Sequence, residues 1–560
     1  MKYTFIFIIL FSLVSCENFL DVPPKNEVEV NNFYKTPEDS ELALTAVYNS
    51  LQERGTYNDS YMFYFCNDVT KPASWDQSGF VNYKIFADNS IVEDIWQDHY
   101  KGINEANTVI YYTGLLDEED FSSPGKQQII NEARFIRTLL YFNLVRIYKD
   151  VPKITTPTLE SSEIEVSQYP EDLMYQFLLA EVDTCIKYLD YKVALPTGTA
   201  SKEAAMALAA DINMTWGSRL KYLKNDLTLV SPAPEEAVPY FQRALSLSDS
   251  IINSGTFELV PYYPDVFTAH NRNNREIIFD VQFLSKQGDE GSKVGNNVGL
   301  TGPNNLGGSG GSITSTRTYN DGIFTVGSDS VRSAWNTVIC DLVDRELFQP
   351  NNQYPQQMSQ EIIIPGEQAM LVIWKKTISW KQARIGKWRN WPIRSSDYVF
   401  GDTDMNWPIY RLGEMLLLYI EAYYELNGTF DAVCYERMNM LRRRASRTIE
   451  GGVHYNQLPR KYRFNPEMTK EFAPGTLTMQ IVRTERAKEL GGELKRWFDL
   501  VRWGILQKTI KDLGAKINNE GLPLEGGNWG DDIQDYHNFM PIPHSEILAN
   551  KNLIQNEGYY

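Results

Sequence analysis

The run Gly307-Gly308-Ser309-Gly310-Gly311 fits G-x-S-x-G, the turn that presents a nucleophilic serine in many hydrolases. That turn needs a strand before it and a helix after it. Here it lies inside a long Gly/Asn/Ser stretch from Gly288 to Ser312, which gives a serine no oxyanion hole. Adjacent acids such as Glu119-Asp120 and Asp531-Asp532 sit in polar stretches. Two carboxylates make a glycosidase only at a set separation across a cleft, and adjacency does not supply it. The five histidines, His99, His270, His454, His537 and His544, are scattered without ligand spacing, and there is no HExxH, Walker A or Rossmann pattern. The segment Arg384 to Arg394, RIGKWRNWPIR, interleaves cations with aromatics. A nucleic-acid or acidic-glycan surface is one reading. A net charge of −18 favours the other: Trp388 and Trp391 packed inward, Lys387 and Arg389 paired to acids.

The elements that would position any site are mainly helices. Apolar residues recur at helical spacing over Ser40–Gln52, Glu93–Tyr112, Gln127–Tyr148, Pro170–Tyr191, Ser201–Leu220 and Glu235–Ser254. Alanines 204, 205, 207, 209 and 210 would let neighbouring helix backbones approach closely. This succession is similar to tetratricopeptide packing, without a clean 34-residue period. From about Phe257 to Trp407 short β-like runs alternate with polar loops, Ile277–Val281 being a plausible strand. Helices return over Tyr410–Leu426, Ala432–Ser446, Thr478–Gly491 and Trp497–Leu513. In the last two, Glu485–Lys488, Arg486–Glu489 and Asp499–Arg502 are i,i+3 pairs, read as structural ion pairs that tie helices together.

At the N-terminus, Lys2 precedes an apolar run from Phe5 to Val14. It is shorter than the about 20 residues that span a bilayer and has the length of a signal-peptide core. It ends in Leu13-Val14-Ser15-Cys16, which resembles a bacterial lipobox, so Cys16 is expected as the lipidated first residue of the mature chain. Residues 1–15 then form the leader, 16–31 a tether, and 32–560 one body. In that body about 32–256 and 408–513 are mainly helical, about 257–407 a loop-rich insertion and 514–560 a tail. The remaining cysteines, Cys66, Cys185, Cys340 and Cys434, show no CxxC spacing; a secreted chain admits a disulfide among them, but the spacing gives no pairing, and free, mostly buried thiols are the expectation.

A series of blocks resembles the SusD/RagB family of outer-membrane nutrient-binding lipoproteins. They begin with Phe19-Leu20-Asp21 after the cysteine, then Trp96, Tyr100, Ile103 and Asn107. Glu132-Ala133-Arg134-Phe135-Ile136-Arg137, Asp150-Val151-Pro152 and Ser201-Lys202 follow. After the middle come Arg411-Leu412-Gly413-Glu414 and Asn439-Met440-Leu441-Arg442. The most specific are Glu485-Arg486 with Glu489-Leu490, and Arg496-Trp497-Phe498-Asp499-Leu500-Val501-Arg502. Pro541-Ile542-Pro543 with Gly558-Tyr559 closes the chain.

The resemblance implies a mostly α fold, a tetratricopeptide-like scaffold with a loop-rich, partly β remainder. It implies a non-enzymatic protein, lipid-anchored to the outer membrane and facing outward. Such a protein captures glycans, or alternatively peptides, and delivers them to a SusC-like TonB-dependent transporter. No nucleic-acid partner and no cofactor are implied; a structural calcium is left open. Sugars offer apolar faces to aromatic rings and hydroxyls to polar side chains, so ligand contacts belong on loops. In this family the binding face is generally built from an early loop and one after the repeats. The expected contacts are therefore Trp75, with Asn67, Asp68, Asp76 and Tyr83, and then Tyr319, Asn320, Phe324 and Trp335. Trp75 is the expected stacking platform; Trp96, Trp497 and Trp503 are assigned to the scaffold.

Overall fold

Polar side-chain caps open several of the helices. Thr36 forms a capping box with Asp39 ahead of α1, Pro37–Asn49. Asn89 caps α2, Ser90–Leu115, and Ser201 caps α5, Lys202–Arg219. Each such cap contributes roughly 1 kcal/mol. Between them lie α3, Lys126–Tyr148, and α4, Glu171–Tyr188; α6, Val238–Ile252, follows. The computed structural model describes residues 33–59, 65–73, 78–122, 125–158, 165–224, 233–288, 290–298, 312–323, 329, 332, 335–338, 340–344, 359–362, 370–374, 384–388, 401–449, 462–464, 471–515, 529–530 and 532–559. Cys16, with the expected leader and tether, lies outside them.

Helices α2 to α6 pack each on the next, and the stack continues onto α7, Leu412–Asn427, which lies far along the chain. The alanines of α5 explain its central place. Ala204, Ala205, Ala207, Ala209 and Ala210 are all buried, and the helix touches α3, α4, α6 and α7. Helix α3 is buried along nearly its whole length, from Ile129 to Tyr148. The mostly α-helical scaffold expected from the residues is the scaffold observed. Among the described residues no helix is long and apolar enough to cross a membrane.

The strands are short and pair antiparallel. The four that matter here are β1, Thr70–Pro72; β2, Ile277–Val281; β3, Ile313–Ser315; and β4, Trp407–Arg411. β4 pairs with β2 and runs directly into α7. Helices α8, Ala432–Ala445, α9, Met479–Leu490, α10, Arg496–Arg502, and α11, Leu506–Gly514, complete the scaffold. The helix expected over Trp497–Leu513 is thus two helices. Gly504 sits between them with φ +66, a left-handed conformation that ends α10.

The charged blocks meet in the interior. Arg411 follows from β4 pairing with β2, which brings it beside Glu276; Leu412 N donates to Glu276 O at 2.9 Å. Arg411 Nη1 donates to Glu276 Oε1 at 2.8 Å and to Glu489 Oε1 at 2.7 Å. Its Nε and Nη2 donate to Glu493 at 2.8 and 2.7 Å. Arg332 donates to Glu489 Oε2 at 2.9 Å, and Arg444 bonds both Glu489 and Glu276. All these residues are buried. Gly413 opens the space: a Cβ there would lie 2.5 Å from Arg411 Nη1 and 3.0 Å from Glu489 Oε1. The i,i+3 reading holds for Asp499–Arg502, at 2.9 Å. Arg486, however, pairs with Asp499 of the next helix at 2.9 Å, while Glu489 turns to the arginines of distant segments. The segment 384–388 joins the same interior. Trp388 is fully buried with its indole N–H on Gly492 O, and Lys387 Nζ donates to Glu493 at 2.6 Å. Trp391 and Arg389 lie outside the described residues. Cys66, Cys185 and Cys434 are buried free thiols, and the Cys340 side chain lies outside.

Candidate functional site

The early loop and the later loop region are joined by one ribbon. β1 pairs with β3, Thr70 opposite Ser315 and Pro72 opposite Ile313. Ala73 N donates to Ser312 O at 2.7 Å, so the chain leaves toward residue 74 beside the point where it arrives from residue 311. At the other end Thr316 N donates to Val69 O at 2.9 Å and Thr316 Oγ1 to Asp68 O at 2.6 Å.

Five of the expected ligand contacts, Asn67, Asp68, Tyr83, Tyr319 and Trp335, are buried. Asn67 is buried; its Oδ1 accepts from the Val69 and Thr70 amides at 2.9 and 3.0 Å, the side-chain turn that starts β1. Asp68 accepts two bonds from the Arg496 guanidinium, both 2.7 Å, which ties β1 to α10. Tyr83 is buried and donates to Cys66 O at 2.8 Å; burial pushes its hydroxyl well up from the ordinary tyrosine range. It takes φ 59, costing about 1–2 kcal/mol for a side-chain-bearing residue, and that bond holds it there. Tyr319 is fully buried, its oxygen accepting from Asn336 Nδ2 at 3.1 Å, and Trp335 is buried beside Asn336. Asn336 also donates to Lys488 O at 2.8 Å, anchoring this segment to α9. A polar or aromatic residue in a loop-rich stretch can serve the loop's own shape as readily as a ligand. Sequence composition does not separate the two uses.

Trp75, Asp76, Phe324 and the side chain of Asn320 lie outside the described residues; Asn320 falls in the helical turn Thr318–Ile323 that follows β3. The structure adds one residue that sequence reasoning passed over. Phe86 is 68 % exposed on the same early loop. Its neighbours Tyr83 and Ile85 are buried, and no periodicity distinguishes the three. Beside it on the loop Lys84 is exposed and lies 3.3 Å from Asp532. Asn89 Nδ2 donates to Ser78 O at 2.8 Å, which fixes the loop to the start of α2. Among the described residues no group of three or more His, Cys, Asp or Glu is arranged to hold a metal ion.

Comparison with known proteins matches this frame along nearly its whole length. The model of the SusD family matches residues 275–559, and a second, described as starch-binding associating with outer membrane, matches residues 18–214. SusD-like protein P25 of Formosa agariphila is 24% identical over 98% of each chain. The crystal structure of a SusD homologue from Bacteroides thetaiotaomicron superposes with a TM-score of 0.76 at 19% identity, covering 96% of this chain and 99% of that one. A laminarin-binding SusD-like protein superposes with a TM-score of 0.65 at 19% identity, covering 94% of this chain and 100% of that one. The blocks quoted from Trp96 to Tyr559 lie within the two matched ranges, and the chain belongs to the SusD family.

Proposed function

We propose that this protein captures oligo- or polysaccharides at the cell surface and delivers them to a SusC-like TonB-dependent transporter. It acts by binding alone, without cleaving the glycan, and is held to the outer membrane by lipid on Cys16, facing outward. The observation that carries the reading is the β1–β3 ribbon. It brings Ala73 beside Ser312, two residues far apart in sequence, on a frame tied by hydrogen bonds to α9 and α10. A rigid frame lowers the ordering cost of loops that grip a ligand. The laminarin-binding neighbour of the same fold supports glycan as the cargo.

Trp75 is the proposed stacking platform, with Asp76 bonding hydroxyls and the exposed Phe86 extending the apolar surface. The test is a glycan array, with a peptide library beside it, followed by titration of the Trp75→Ala variant. Expected is retention of a glycan class, loss of that retention in the variant, and an unchanged denaturation midpoint. Retention of peptides alone would transfer the scaffold to the peptide reading. Release of reducing ends from the polysaccharide would overturn the binding role. Unchanged affinity of the variant would remove Trp75 from the site.

A further inference from the structure

A cavity of about 660 Å³ opens between α1, α3, the segment 190–199 and the end of β2. That volume falls within the about 300–1,000 Å³ typical of small-molecule sites. Its wall carries five carboxylates, Glu41, Glu132, Asp190, Asp280 and Glu290, and none of the described residues lining it is a lysine, arginine or histidine. Leu44, Leu51 and Val281 supply an apolar side.

Two of these carboxylates are buried, and their hydrogen bonds come from neutral donors. Glu132 accepts from Tyr48 Oη at 2.6 Å and from Gln128 Nε2 at 2.8 Å. Asp280 accepts from Gln282 Nε2 at 2.6 Å and Asn406 Nδ2 at 2.9 Å. Lys192 and Lys202, which flank this wall in the chain, direct their ammonium groups to other partners. Lys192 Nζ donates to the carbonyls of Ile277 and Ile278 at 2.6 and 3.1 Å, and Lys202 Nζ lies 4.6 Å over the Tyr191 ring. In the interior of the same protein, Glu276, Glu421, Glu489 and Glu493 each face an arginine. A buried carboxylate without a cation is costly, and this fold answers it with a guanidinium elsewhere. Here it presents open space instead. Burial pushes the Glu132 carboxyl up to about 7 and that of Asp280 up to about 6, Lys192 offsetting part of the latter.

We infer that this cavity is a binding site for an organic amine, whose ammonium group forms the ion pair that neither Glu132 nor Asp280 makes among the described residues. The apolar side packs against the ligand's carbon skeleton. The elements forming the site are not those of the β1–β3 ribbon, so it goes beyond the capture of a glycan by the loops. Two sources share this chemistry: a deacetylated amino sugar and a free polyamine.

Calorimetric titration of the purified protein with the glucosamine trimer, its fully N-acetylated counterpart and spermidine tests the assignment. An amine is expected to bind, and the acetylated trimer to bind roughly tenfold or more weakly. Spermidine binding as tightly as the trimer identifies a polyamine site; preference for the trimer identifies an amino-sugar site. Glu132→Gln and Asp280→Asn should each weaken amine binding by roughly tenfold. Thr45→Trp, an exposed position on α1 at the cavity wall, should block it without touching the buried bonds. Trp75→Ala should leave it unchanged, which separates this site from the proposed loop site. Absence of amine binding, equal binding of the amine and acetylated trimers, or amine binding that survives both Thr45→Trp and Glu132→Gln overturns the inference.

Discussion

Glu489 and Glu132 are both buried glutamates on long helices, and their surroundings drive them in opposite directions. Glu489 lies among Arg332, Arg411 and Arg444, and these hold its carboxyl well below the usual range despite burial. Glu132 meets a tyrosine and an amide, and burial lifts it to about 7. The difference shows what the charged blocks of this chain do mechanically. Arg411 at the entry to α7, Arg444 at the end of α8 and Arg332 from the middle region converge on one side chain of α9. They bind together segments that share no local contacts in sequence. Around Glu132 the same helical stack leaves a gap where such a tie would stand.

Removing the central acid should have the largest effect. Glu489→Gln would leave three buried guanidinium groups short of an anion, and breaking a buried pair in this way costs about 3–5 kcal/mol. Urea denaturation of the variant measures it. A loss below about 1 kcal/mol would mean that Glu276 and Glu493 carry the arginines alone, and the contrast with Glu132 would lose its basis.

Titration should expose the same contrast with opposite signs. Glu132 rises from an ordinary 4.5 to about 7 on folding. Its contribution is therefore fully present below pH 4.5, where both states are protonated, and is lost as pH rises through 7. The loss is about 3 kcal/mol on linkage, burial being the main cause and Glu41 adding repulsion. Glu489 is depressed, so its contribution is present above 4.5 and falls away as acid is added. Glu132→Gln should flatten the decline in unfolding free energy between pH 5 and pH 8 and stabilise the protein at pH 8. A variant that follows the parent's pH curve would show that the cavity already satisfies this carboxylate. Gly413→Ala comes next in size. The new Cβ would press on Arg411 Nη1, which donates to both Glu276 and Glu489, so the network must shift; about 1–2 kcal/mol is expected even after alanine's better helix propensity.

The scaffold was largely legible in the sequence because its signals are local. Apolar periodicity places helices within a few residues of where they stand. The one merged helix failed at Gly504, where a single glycine inside a good apolar pattern takes a left-handed turn. Ion pairing was legible as a purpose but not in its partners. Glu489 reaches across 78 residues to Arg411 and 157 to Arg332, distances set by β2–β4 pairing and by the fold of the middle region. The candidate site was less legible still. Tyr83, buried, and Phe86, exposed, stand three residues apart in the same polar loop; which ring faces out depends on Tyr83's left-handed backbone and its bond to Cys66. The cavity beside Glu132 left no trace in sequence, since an unpaired acid reads like a paired one.

The smallest expected effect sharpens the comparison from the solvent side. Lys508 and Asp512 on α11 form an i,i+4 pair at 2.6 Å, a shorter contact than several in the buried network. Their side chains are 76% and 59% exposed. Water screens the attraction, and holding two long side chains in one geometry costs entropy, so such pairs are worth about 0.3–0.5 kcal/mol. Here the lysine precedes the acid, the weaker orientation against the helix dipole. Alanine at position 508 also gains slightly in helix propensity. The two terms nearly cancel, and Lys508→Ala should change the unfolding free energy by less than about 0.5 kcal/mol, with no dependence on added salt beyond that. A loss approaching that of Glu489→Gln would show that pair geometry, and not removal from water, sets the worth of an ion pair in this fold.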